Sequence, residues 1–177
     1  CTTHRITLGA VTAHCDATKA VGRALVLSPV RDRRSQSQLG AISIVDIGAL
    51  RAGPIISDSN VAVWVTESLA SSLSQAGFTV VTGTVRSGTP VVQGEIEELG
   101  VNLRRGWIQF GAEAEAVIVA KIQMAIGHDT VLEKTYKGCG RSGMGVVATK
   151  WGSAFDSVLQ AAARNALVDM LEQSVTD

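Results

Sequence analysis

The chain has 177 residues, 46% hydrophobic and 18% charged, with 16 lysines and arginines balancing 16 aspartates and glutamates. A chain of this size buries about two-thirds of its unfolded surface in one core, and a zero net charge gives no long-range field to gather nucleic acid. No apolar run approaches the roughly 18 residues that a membrane-spanning helix needs.

In chain order, Cys1-Thr2-Thr3 comes first. Translation does not begin with cysteine, and these residues resemble the mature end of a bacterial lipoprotein, whose first cysteine is acylated on its sulfur and amino group. The resemblance implies lipid attachment at Cys1, each buried CH₂ adding about 0.8 kcal/mol. It also implies sorting to the outer membrane, because Thr2 is not the aspartate of inner-membrane retention. The competing reading is a chain boundary that falls on a cysteine by chance. Residues 1–20 read as a tether with an early strand around Arg5 to Val11, and residues 21–177 as a single α+β domain. Cys15 and Cys139 could pair in an oxidising periplasm, a long-loop disulfide contributing up to about 4 to 5 kcal/mol. Two free buried thiols are an equal alternative, since sequence does not place the Cα atoms within bridging distance. His14 beside Cys15 lacks a second pair at ligand spacing, so no metal site is expected.

Gly22 to Val30 alternates as a strand ending near Pro29, which belongs at an edge or a strand's end. Arg31 to Gln38 is a charged loop, Leu39 to Ile47 a strand, and Gly48 to Ser57, with Gly53-Pro54, a loop. From Asp58 the spacing predicts a helix with Val61, Val65, Leu69, Leu73 and Ala76 along its core stripe and Glu67, Ser68, Ser71, Ser72 and Gln75 off it. Asp58 or Ser59 is the expected cap and Gly77 the left-handed stop. Phe78 to Val81 is a short strand, Gly83 to Pro90 turn chemistry, Val91 to Val101 a strand with Glu95, Glu97 and Glu98 toward water, and Leu103 to Gly106 a reversal. Gly111 to Met124 alternates cleanly, with Ala114, Ala116, Ile118, Ala120, Ile122 and Met124 on the core face. A turn at Gly127 to Thr130 brings Val131 to Lys137 back beside it. The last element is an amphipathic helix, about Ser153 to Ser174, with Ser153 as its cap. Together these predict a two-layer α+β sandwich: a mainly antiparallel curved sheet with two amphipathic helices on one face.

Gly138-Cys139-Gly140-Arg141-Ser142-Gly143 matches G-x-G-x-x-G. A dinucleotide loop must open a helix at once inside a βαβ unit, and here Met144 to Thr149 intervenes, so a flexible connection is the better reading and no cofactor is expected. The arginines from Arg31 to Arg34 could grip an anion, but with Asp32 among them a solvated cluster is favoured. His4, His14 and His128 are scattered, Ser142 has no base beside it in sequence, and the tryptophans Trp64, Trp107 and Trp151 read as core or interface anchors. No catalytic residue is nominated, and the protein reads as a non-enzyme.

Val30-x-Asp32-x-Arg34, Leu39-Gly40, a helix ending Leu73-Ser74-Gln75-Ala76-Gly77-Phe78, a glutamate-rich strand, a long strand of small residues, Tyr136 near a strand end and a C-terminal helix resemble the YajG-like family of small bacterial lipoproteins, with Leu39 where the family has isoleucine. The resemblance implies an outer-membrane lipoprotein facing the periplasm and carries no catalytic residues. The expected role is a non-catalytic binding or structural component of an envelope assembly, with envelope proteins as partners, as a homo- or hetero-oligomer, and no nucleic acid. The alternative is a transporter's auxiliary lipoprotein holding a lipid or other apolar ligand between sheet and helices; an enzyme of unknown type comes third.

Overall fold

The computed structural model describes residues 3–14, 22–46, 49–81, 88–105, 112–144 and 151–176. Its elements are β1 (His4–Ile6), β2 (Ala24–Leu27), β3 (Arg31–Asp32), β4 (Gln38–Asp46), β5 (Ala49–Ser57), α1 (Val61–Gln75), β6 (Thr79–Val81), β7 (Pro90–Arg105), β8 (Ala112–Ile126), β9 (Asp129–Met144) and α2 (Trp151–Thr176). The expected α+β architecture is present. β7, β8 and β9 form the antiparallel meander, and on β8 the predicted face of Ala114, Ala116, Ile118, Ala120 and Ile122 is buried, with α2 packed on the strand. On the other side of β7, the strands β2, β3 and β4 pair with it in succession, all parallel to it. β6 borders β2, and β5 joins β4 to β1.

Several boundaries differ from expectation. Residues 49–57 form strand β5 rather than a loop. Pro54 lies opposite Ala41, one residue before β1 begins at Ile55, where among the described residues β5 pairs only with β4 and a missing N–H is tolerated. β7 continues through Arg105, into the stretch expected to reverse. Its burial phase shifts at a bulge between Ile96 and Glu98, so Glu97 and Glu98 are both exposed while Leu99 returns to the core. The strand expected to end at Lys137 runs to Met144, and α2 begins at Trp151, ahead of Ser153.

Helix α1 is capped by Asn60, not Asp58 or Ser59. The Asn60 Oδ1 accepts from the N–H groups of Ala62 (3.0 Å) and Val63 (3.3 Å). At the other end Gly77 takes φ +94°, the left-handed stop. The largest departure is on the serine side of α1. Ser68 and Ser72, expected to face away from the core, are fully buried. Their cover is the segment after β1, which runs along α1 instead of continuing in the sheet. Leu8 N donates to Ser59 Oγ (3.0 Å), Val11 N to Ser68 Oγ (3.0 Å) and Ala13 N to Ser72 Oγ (2.9 Å), while Trp64 Nε1 donates to the Gly9 carbonyl (2.8 Å). Hydroxyls at helical spacing thus receive the N–H groups that a neighbouring strand would otherwise bind. Ile6, Leu8, Val11 and Ala13 enter the core beside Trp64, so residues 3–14 are part of the packed unit.

Candidate functional site

The segment that carries Val30-x-Asp32-x-Arg34 crosses the middle of the sheet beneath α1. Val30 is buried and its N–H donates to Thr66 Oγ1 of α1 (2.9 Å). Two residues on, Asp32 lies in register with the fully buried Ile96 of β7, so period-two alternation turns it to the same side. Arg34 follows on that side, and its guanidinium meets Asp32 along one edge, with Nε–Oδ1 at 2.9 Å and Nη2–Oδ2 at 2.6 Å. The Arg34 N–H donates to the same Oδ1 (3.1 Å). These bonds hold the Asp32 carboxyl below the usual carboxylate range. The Arg34 side chain is only 9% exposed, and its Nη1 is buried without a hydrogen-bond partner among the described residues. This corrects the expectation of a solvated cluster for Arg34 alone, since Arg31 and Arg33 are exposed as expected. Arg33 points the other way, paired with Glu95 (Nη2–Oε1 3.0 Å) across the open groove of about 420 Å³ lined by Ser28 to Arg31 and Gln93 to Glu95. The constellation is a clasp: it fixes the kinked run from β2 to β4 against β7 and leaves one buried guanidinium nitrogen with unused donor capacity.

The glycine motif is neither a cofactor loop nor a flexible connection. Gly138 and Gly140 lie inside β9, and a Cβ on either would sit 2.0 Å from the Ala166 carbonyl oxygen or 2.2 Å from that of Ala162. Their absent side chains let α2 press its backbone against the strand. One row of α2 then closes the outer border of β9: Asp169 Oδ2 accepts from Cys139 N (2.8 Å), Asn165 Nδ2 donates to Arg141 O (2.9 Å), and Gln173 Nε2 donates to Lys137 O (3.0 Å). Sequence reasoning missed this row, although its spacing of four residues on a helix facing an edge strand was its signal.

Of the other nominated residues, Cys1 and Cys15 lie outside the described residues, and Cys139 is an exposed free thiol on β9. His14 is exposed, near Gln75 (3.4 Å). Glu95 holds Arg33 rather than simply facing water. Trp64 is a core anchor, while Trp107 lies outside the described residues. Among the described residues, no three His, Cys, Asp or Glu side chains gather at metal-binding range, and no helix is long and apolar enough to cross a membrane.

Among solved structures, the protein XCC0632 from Xanthomonas campestris, of the family DUF330, has a TM-score of 0.61 at 12% identity, covering 97% of this chain and 92% of that one. The hypothetical protein CT253 from Chlamydia trachomatis aligns over 88% of this chain and 96% of its own at 9% identity, with a TM-score of 0.45. At 12% identity the likeness to the first is one of fold alone. No curated protein matches the sequence. The model of the family Lipoprotein_16, described as "Uncharacterized lipoprotein", matches residues 16–170, a span that contains the Val30-x-Asp32-x-Arg34 clasp, Leu39-Gly40, all of α1 and most of α2. The chain therefore belongs to the YajG family of uncharacterized lipoproteins.

Proposed function

We propose that this lipoprotein is a non-catalytic component of a cell-envelope assembly, held to the periplasmic face of the outer membrane by acyl chains on Cys1 and acting through protein contacts. The observation that carries the reading is the inequality of the sheet's borders. The border at β9 is sealed by Asn165, Asp169 and Gln173. The border at β6 pairs, among the described residues, only with β2, and Thr79 and Val81 are exposed on it. An open edge with an exposed valine receives a partner's strand by β-addition, main-chain bonds giving affinity and side-chain pockets register. The partner is a second copy or another envelope protein.

The test uses the intact chain isolated from membranes. Its mass is expected to carry the acyl groups of a mature lipoprotein on Cys1, and Cys1→Ala is expected to release it from the membrane fraction. A photo-crosslinking side chain at Val81 is expected to give a discrete protein adduct that one at exposed Val131, on the opposite border strand β9, does not. An unmodified Cys1 overturns the anchor, and equal labelling at both positions overturns edge addition. The transporter-auxiliary reading has less support, because Trp64, Leu159, Leu167, Met170 and Ile118 fill the space between sheet and helices where an apolar ligand would sit.

A further inference from the structure

Between β2 and β3 the chain lifts off β7 and returns. Leu27 is in register with Val92 and Arg31 with Glu95, so Ser28, Pro29 and Val30 stand against Gln93 and Gly94 alone, a bulge. Two of the three cannot serve the ladder: Pro29 has no N–H, and the Val30 N–H is drawn to Thr66 Oγ1 on α1 (2.9 Å). The consequence falls on β7. The carbonyls of Val92 and Ile96 accept from Ser28 N and Arg33 N (2.9 Å each), so the hydrogen-bonding edges of these residues, and of Gly94 between them, face the bulged strand. The Gly94 N–H therefore points into the gap, where no acceptor among the described residues meets it. Gly94 itself is buried, with Val30 packed where its Cβ would stand. The gap opens as the groove of about 420 Å³. Arg31 is exposed at its rim and makes no ion pair among the described residues, while Glu95 is matched by Arg33. Pro29 and Val30 supply apolar walls.

We infer that this groove receives an acidic side chain of a partner protein, one carboxylate oxygen accepting from the Gly94 N–H and the other from the Arg31 guanidinium, with the side-chain methylenes against Pro29 and Val30. The inference names the partner's chemistry and rests on the reading above that the chain acts through protein contacts. A buried backbone donor requires an acceptor, and a carboxylate is a strong one because its charge assists both bonds. Charge selects a carboxylate over a phosphate. With Arg33 on Glu95, Arg31 leaves one positive charge at the groove, and Glu97 and Glu98, exposed further along β7, oppose a second negative charge. The contact is open to water on one side, so it is expected to weaken as salt rises.

The test titrates the nitrogen-15-labelled full chain with blocked tripeptides carrying glutamate or glutamine at the centre, and with inorganic phosphate, read by amide NMR spectra. The glutamate peptide is expected to move the Gly94 amide proton downfield and saturably, with smaller shifts at Ser28 and Arg31 and none at residues 126–130. The glutamine peptide is expected to bind at least about fivefold more weakly. Arg31→Gln should weaken the glutamate peptide by about three- to fivefold, the scale of an exposed ion pair, and Glu95→Gln, which frees Arg33, should tighten it by a similar factor. Both positions are at the surface, so spectra unchanged away from the groove confirm that the variants fold. A Gly94 amide that does not move, an equal response to both peptides, or tighter binding of phosphate overturns the site. That failure is distinct from failure of the edge: a silent groove beside a discrete Val81 adduct strikes only the groove, and a responsive groove beside equal labelling at Val81 and Val131 strikes only the edge.

Discussion

Asp32 and Arg34 show how an arginine two positions from an aspartate is drawn under cover: the Arg34 side chain is 9% exposed, while that of Asp32 stays 30% exposed. The Arg34 guanidinium is desolvated, and Asp32 supplies two oxygens to three of its donors, backbone included. Such a pair adds little over an apolar substitute, yet removing one member leaves a buried charge. Asp32→Asn is therefore expected to destabilise by about 1 to 2 kcal/mol, at the low end for hydrogen bonds to a charged group because the Asp32 side chain stays partly in water, measured as a lower urea midpoint. Its pH dependence has a fixed sign. The folded pKa of Asp32 is depressed, so its contribution is complete above the unfolded value of about 4 and is lost as pH falls through the folded one. The gap between wild type and variant should be constant near neutrality and narrow below about pH 4. Gly140 makes the opposite kind of demand, for the absence of atoms. A methyl there meets Ala162 O at 2.2 Å and Ala166 N at 2.3 Å, both helix backbone. Gly140→Ala is expected to cost about 3 kcal/mol or more, as severe overpacking does, whereas Gly9→Ala, with open space around its Cβ, should stay within about 0.5 kcal/mol.

At the level of elements, what could be read from sequence depended on whether periodicity alone decides the outcome. β8 was legible because alternation over fifteen residues admits one orientation. α1 was legible in its apolar stripe and stop, but not in its serine side: a small hydroxyl is compatible with water and with a buried backbone donor, and nothing local distinguishes the two. Glycine had the same ambiguity in Gly138 and Gly140, where flexibility and close packing leave one signature. The bulge in β7 could have been seen, because adjacent Glu97 and Glu98 between Ile96 and Leu99 break the alternation. Of the candidate site, the sequence pointed to the right residues, Val30, Asp32 and Arg34, but to the wrong environment for Arg34, because its burial depends on tertiary packing that no local pattern reports. The serine side yields its own prediction. Ser68→Ala leaves the buried Val11 N–H without its acceptor, which is expected to cost about 1 to 3 kcal/mol and to speed amide exchange across residues 8–13 more than in β8.

For the whole molecule, the segment that would link anchor to domain is also a structural member. Residues 3–14 supply β1 and roof the serine side of α1, and Ile6, Leu8 and Val11 lie in the core. Burying three such side chains contributes roughly 5 to 9 kcal/mol, comparable with the 5 to 15 kcal/mol of a typical domain. A passive tether could be removed without harm; this segment could not. A chain starting at residue 15 is expected to lose its cooperative unfolding transition. A synthetic peptide of residues 3–14 added in excess should restore it, since its backbone donors and apolar side chains have a preformed complement in α1 and β5. A peptide with Leu8 and Val11 changed to aspartate should not. Retention of a full transition by the shortened chain would show that the domain closes without its N-terminal segment.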